Sequence, residues 1–181
     1  DGIEALSKVF NLKGKVVPLT EDNVVLMGEM ADGTIIEGEH NITENTDAVK
    51  GVFYKEGPVP TGEAIRALEE ADLILLSMGS LFTSIIPNLL VDGIVDEIRD
   101  SDALKVYVAN VMTQEGETEE YTLSDHIQAL FKHSVPGLFD LCLANSSPIP
   151  DVVAARYAEE GAELLRYDAD ACAALGVEVI Q

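Results

Sequence analysis

From residue 61 onward the chain repeats one rhythm: a stretch with helical spacing, a short unbroken apolar run, then small polar residues. The apolar runs are "DLILLS" (72–77), "LKVYVAN" (104–110) and "GLFDLCLAN" (137–145). The helical stretches are "TGEAIRALEEA" (61–71), "VDGIVDEIRDS" (91–101), "TLSDHIQALFKHS" (122–134) and "PDVVAARYAEEG" (150–161). Strands alternating with helices predict βαβ units and a mostly parallel sheet. Continuous apolar runs, rather than alternating ones, predict helices on both faces of that sheet. The fold class is therefore α/β. Thr61 opens the first helix as N-cap, and Thr122 or Ser124 opens the third. "AELLRY" (162–167) and "VEVI" (177–180) read as final strands.

The first third has a different texture. "NVVLMGEM" and "GTIIEGEH" flank Asp32-Gly33, a pair that suits a hairpin with a type I′ turn. "KVVPL" (15–19) and "VKGVFY" (49–54) read as further strands, "NITENTD" (41–47) as a loop, and "EGPVPTG" (56–62) as a connector. The whole reads as one α/β domain over 1–181. Residues 1–60 form a helix plus a small β-hairpin module, and 61–181 form the βα units. The opening "DGIEALSKVF" places Ile3, Leu6, Val9 and Phe10 at helical spacing, as if a helix were already under way. This leads to the expectation that an upstream segment precedes it, and that a sheet without its opening strands exposes apolar surface and favours oligomers.

Charge narrows the partners. With 33 acidic against 11 basic residues, the net charge is −22. Nucleic acid and anionic membranes need clustered Lys and Arg, so neither is an expected partner. A phosphorylated small molecule remains possible if backbone N–H groups and hydroxyls hold it locally. Cys142 and Cys172 form no CxxC pair. Cys142, inside an apolar run, reads as a small buried thiol, and two free thiols fit a reducing cytoplasm.

In parallel α/β sheets ligands sit beyond the carboxyl ends of the strands. Three such exits are visible: "SMGSLFTS" (77–84), "NVMTQEGET" (110–118) and "NSSPIP" (145–150). Right-handed crossovers bring all three to one edge. Gly79 lets a ligand approach the backbone, while Ser80, Thr83 and Ser84 offer hydroxyl donors. A helix starting near Leu81 would add free N–H groups. Asn110 and Asn145 each end a strand, where an amide either reads a base or sugar edge or ties off a turn. Ser and Thr there also serve simply as helix caps. Neither GxxxxGK[ST] nor GxGxxG occurs.

Other polar residues carry less. Glu115 and Glu117 can orient a hydroxyl or hold a divalent cation, but carboxylates beside Gly in an acidic chain are expected to be solvated. His126 and His133, seven apart on one helix, lack a third metal ligand and read as helix-surface residues. Arg156 and Arg166 are expected in surface ion pairs.

Taken together, "ADLILLSMGSLFTSIIPNLLVDGI" and "KVYVANVMTQEGETEEYTLSDHIQAL" closely resemble the CofD-like family. That family joins the 2-phospho-L-lactate transferases to a gluconeogenesis-factor branch. "LSKVFNLKGKVVPLTEDNVVL" and "GAELLRYDADACAALGVEVI" bring the sequence nearer the second branch and extend the likeness over nearly the whole chain. The resemblance implies a Rossmann-like fold, a cytoplasmic location and a UDP-sugar or related ligand. It also implies a regulatory influence on carbon use and cell shape. The transferase branch instead implies movement of a phospholactyl group from a nucleotide diphosphate carrier to a deazaflavin, with Mg as cofactor. Family members begin with a GGGTG turn and carry a DDGG stretch; neither is present here. They also have Gly-Pro before the glycine at position 79, where this chain has Ser77-Met78. Carried over by position, the ligand-site residues are Gly79, Ser80, Thr83, Ser84, Asn110, Thr113 and Asn145. No catalytic residue is implied.

Overall fold

The computed structural model describes residues 9, 13–45, 47–77 and 79–181. The N-terminal helix expected over 1–10 and the residue Met78 thus lie outside the described residues, apart from Val9. Two sheets organise the rest. The first is antiparallel, with strands β1 (Leu26–Met30), β2 (Ile35–Glu37) and β3 (Val49–Tyr54) in the order β2-β1-β3. The second is parallel, with β4 (Leu73–Leu76), β5 (Leu104–Val108), β6 (Leu141–Leu143) and β7 (Glu178–Ile180) in the order β4-β5-β6-β7. The helices are α1 (Glu39–Thr43), α2 (Gly62–Glu69), α3 (Ile86–Leu89), α4 (Ile94–Asp100), α5 (Leu123–Lys132), α6 (Asp151–Glu159) and α7 (Ala169–Ala174). This is the α/β class the sequence predicts: a parallel sheet flanked by helices, with a small antiparallel module.

Local chemistry accounts for the boundaries. Thr61 caps α2 by accepting the Ala64 N–H, and Thr122 with Asp125 forms a reciprocal capping box on α5. Gly93, at φ 79°, stands just before α4, so the predicted helix over 91–101 begins only after it. The hairpin forms, but its turn is not type I′. Only Gly33 has positive φ, and Met30 and Thr34 close a three-residue connection held by the Asp32 carboxylate on Thr34.

Two expected strands do not form. In "KVVPL" only Leu19 takes a backbone bond among the described residues, from the Thr61 N–H, and "AELLRY" makes isolated bridges, Leu164 with Met112 and Arg166 with Thr122. Part of the predicted loop 41–47 completes α1.

Parallel register puts like-facing residues in rows. Leu76, Tyr107, Cys142 and Val179 form the row toward α5, where Tyr107 and Cys142 are fully buried. The rows on the other face contain Leu73, Leu75, Leu104, Leu143 and Ile180, each 39–52% exposed. The two faces of the sheet are thus covered unequally. No helix among the described residues is long and apolar enough to cross a membrane.

Candidate functional site at the strand exits

Because β4, β5 and β6 run parallel and side by side, their carboxyl ends open onto one edge. The first two exits touch directly. Asn110 donates its Nδ2–H to the Gly79 carbonyl at 2.9 Å. The Ser80 hydroxyl donates to Gln114 Oε1 at 2.8 Å. After Ser80 the chain winds through a wide turn, Leu81–Ile85, in which the Ile85 N–H reaches back to the Ser80 carbonyl at 3.0 Å. Such π-type turns are uncommon and often occur at functional sites.

The centre of this contact is a residue that the sequence reading set aside. Glu117 is 2% exposed, not solvated. Its Oε1 accepts from the Thr83 hydroxyl at 2.7 Å and the Gln114 amide at 3.3 Å; its Oε2 accepts the Phe82 N–H at 3.0 Å. The turn's N–H group is therefore occupied by the protein's own carboxylate, not left free for a ligand as the sequence suggested. Burial pushes the Glu117 carboxyl pKa up, against the pull of the Thr83 hydroxyl and the Phe82 and Thr83 N–H groups.

The site candidates divide accordingly. Gly79, Ser80, Thr83 and Asn110 are gathered in one network. Thr83 is buried, and a Cβ on Gly79 would meet Ser84 Cβ at 3.3 Å, so Gly79 packs against its own turn. Ser84 lies on the exposed side of that turn. Thr113 faces away, exchanging backbone and hydroxyl bonds with Glu163 at 2.7 and 2.9 Å. Asn145, at the third exit, closes its own turn on Ser147. Among these candidates Asn110 alone has a buried atom, its Oδ1, without a hydrogen-bond partner among the described residues; the other such atom is His126 Nε2 in the core. The Gly79 carbonyl fixes which way the amide points, so this oxygen awaits a donor.

Two hollows border the second exit, neither of them lined by Gly79, Ser80 or Asn110. A hollow of about 430 Å³ runs between the second and third exits, lined by Met112, Pro148, Ile149, Ala158 and Leu164. Another of about 430 Å³ is bordered by Thr113, Glu117, Glu119, Glu120 and Glu163. Among the described residues no three of His, Cys, Asp and Glu converge as metal ligands.

The two histidines are not surface residues either. His126 is fully buried, its Nδ1 at 3.0 Å from the Tyr107 hydroxyl, and burial pushes its pKa down to about 4. His133 is half-buried and bridges two elements. Arg156 and Arg166 are exposed, with no ion pair among the described residues.

Known proteins resemble this chain throughout. The pattern of the family described as 2-phospho-L-lactate transferase CofD matches residues 1–181. A gluconeogenesis factor from Halalkalibacterium halodurans is 46% identical over 180 residues, covering 99% of this chain and 56% of the relative. One from Bacillus subtilis is 44% identical over 180 residues, covering 99% and 57%. A crystal structure of a UPF0052-family protein from Bacillus halodurans superposes with a TM-score of 0.93 at 46% identity, covering 99% of this chain and 58% of that one. The chain thus spans little more than half the length of each of these three relatives.

Proposed function

The chain belongs to the CofD family, and from that premise we propose that it serves a cytoplasmic, nucleotide-sugar-binding regulator of carbon metabolism. The gluconeogenesis-factor relatives support the metabolic side of this reading. The same reading includes an effect on gluconeogenic growth and on cell shape. The ligand side rests on one observation above others: the buried Oδ1 of Asn110, without a partner among the described residues, at the shared edge of the parallel sheet. Leaving such an acceptor without a donor costs roughly 1–3 kcal/mol. A ligand hydroxyl or ring N–H would remove that cost, and UDP-sugars carry both. The hollow beside Met112 and Ile149 offers space for an apolar or flat part of the ligand. Ser80, bonded to Gln114, stands beside Asn110 at this edge, and Ser84 lies on the exposed side of the adjoining turn.

The family's descriptive name favours a second reading, a phospholactyl transferase acting on a deazaflavin. That chemistry has to stabilise charge on a diphosphate. Here the turn N–H is already taken by Glu117, and the described residues offer no metal cluster.

Calorimetric titration of the full chain with UDP-N-acetylglucosamine tests the proposal, alongside an assay with phospholactyl carrier, deazaflavin and magnesium. Saturable binding without transfer is expected. Turnover that stops on chelation would establish the transferase instead, and silence in both would remove ligand binding from the account.

A further inference from the structure

His133 closes α5 and points at the antiparallel module. Its Nδ1 lies 2.7 Å from the Ala129 carbonyl, which can only accept, so Nδ1 carries the proton. Its Nε2 lies 3.1 Å from the Val52 backbone nitrogen, which can only donate, so Nε2 is bare. Both partners thus select one neutral tautomer. The neighbouring residue of β3 is what permits the approach: a Cβ on Gly51 would stand 3.0 Å from Nε2. Phe82, from the wide turn, packs edge-on against the imidazole at 5.8 Å and 77°. The ring therefore touches α5, β3 and the first strand exit at once.

We infer that His133 is an acid-released pin between α5 and the antiparallel module: neutral, it holds β3 through Val52; protonated at Nε2, it gives up that bond and β3 loosens. Protonation adds a hydrogen where Nε2 now accepts one, so two N–H groups would face each other and the bond is lost. The groups around the ring set the balance. Lys132 and Asp125 come from its own helix. Lys50 comes from β3, with Glu29 of β1 paired to it, and the Tyr121 phenol borders the same hollow. Burial disfavours the charged ring first, the Ala129 carbonyl opposes this, and Lys132 adds repulsion. A second link, the Lys132 ammonium donating to the Lys50 carbonyl at 2.7 Å, does not pass through the His133 ring, so release loosens β3 rather than freeing it. The pin is independent of what binds at the strand exits.

Nitrogen-15 NMR of the full chain tests it. At pH 8 the His133 ring is expected in the Nδ1–H form. As pH falls below 6.5, Nε2 protonates and the Val52 amide loses hydrogen-exchange protection, after correction for the intrinsic pH dependence of exchange. In His133→Gln, whose amide oxygen can still accept from Val52, that acid-linked loss disappears. An Nε2–H tautomer at pH 8 would overturn the inference. So would Val52 protection unchanged while the ring protonates, or acid-linked loss persisting in H133Q. The first two readings use the unaltered chain, so they stand even where the variant folds poorly.

Discussion

The Thr83 hydroxyl donates to the Glu117 carboxylate at 2.7 Å, joining the exits of β4 and β5 across 34 positions of sequence. The same carboxyl group takes the Phe82 N–H, so one buried side chain fixes the start of the wide turn. The Thr83 bond has the ordinary length of a hydroxyl donor on an oxygen acceptor.

Removing that carboxylate should be costly. In Glu117→Ala the Thr83 hydroxyl and Phe82 N–H lose their acceptor inside the protein, and each loss costs roughly 1–3 kcal/mol. Glu117→Gln keeps one acceptor and should lose clearly less. Urea unfolding of the two variants measures this; equal stability of Glu117→Ala and the parent would contradict the geometry.

His126 gives stability an acid limit. Its pKa falls from 6.5 to about 4 on folding, so the unfolded chain binds the proton more readily. Stability is therefore lost as pH drops from 6.5 toward 4, by about 3 kcal/mol in full. Glu117 acts in the opposite sense. Its raised pKa makes its contribution fullest below its unfolded value of 4.5, fading as pH rises through the folded one. Comparing the parent with His126→Gln across pH 7 to 4 isolates the histidine share, and the variant should show the shallower fall.

Gly116 has no room for a side chain. Its φ is 77°, and a Cβ would stand 2.6 Å from the Asn45 carbonyl oxygen. Gly116→Ala should destabilise by more than the roughly 1–2 kcal/mol of left-handed strain alone. A thermal melt within a degree of the parent would refute that close approach.

The exposed rows of the parallel sheet carry a different consequence. Leu73, Leu75, Leu104, Leu143 and Ile180 form neighbouring apolar surface, and parallel sheets are ordinarily covered on both faces. The chain on its own should self-associate. Leu75→Glu with Leu143→Glu should shift sedimentation toward the monomer. A parent chain that sediments as a monodisperse monomer at high concentration would contradict this.

Much of this architecture is legible in local pattern. "DLILLS" and "LKVYVAN" announce β4 and β5 because continuous apolar runs need no distant information. Thr61 and Thr122 announce helix starts because a cap bonds only three residues ahead. "KVVPL" misleads because a strand exists only where a partner lies alongside, and Leu19 finds just the Thr61 N–H. Glu117 was hidden for the same reason: its donors arrive from another strand exit. His126 left a usable trace, since it falls on the face shared by Leu123, Ile127 and Leu130, all buried. A histidine among such neighbours is core unless something draws it out. The edge gathering Gly79, Ser80 and Asn110 was foreseeable from the parallel order, but the packing of the first two exits against each other was not.

The central claim is that the edge around Asn110 accepts a hydroxyl- or N–H-bearing anionic ligand. Its most direct measurement is the dissociation constant for UDP-N-acetylglucosamine in the parent and in the Ser80→Ala, Asn110→Ala double variant, with far-ultraviolet circular dichroism confirming that both fold. The account predicts saturable binding to the parent and at least tenfold weaker binding to the variant. Equal affinity in the two would contradict it.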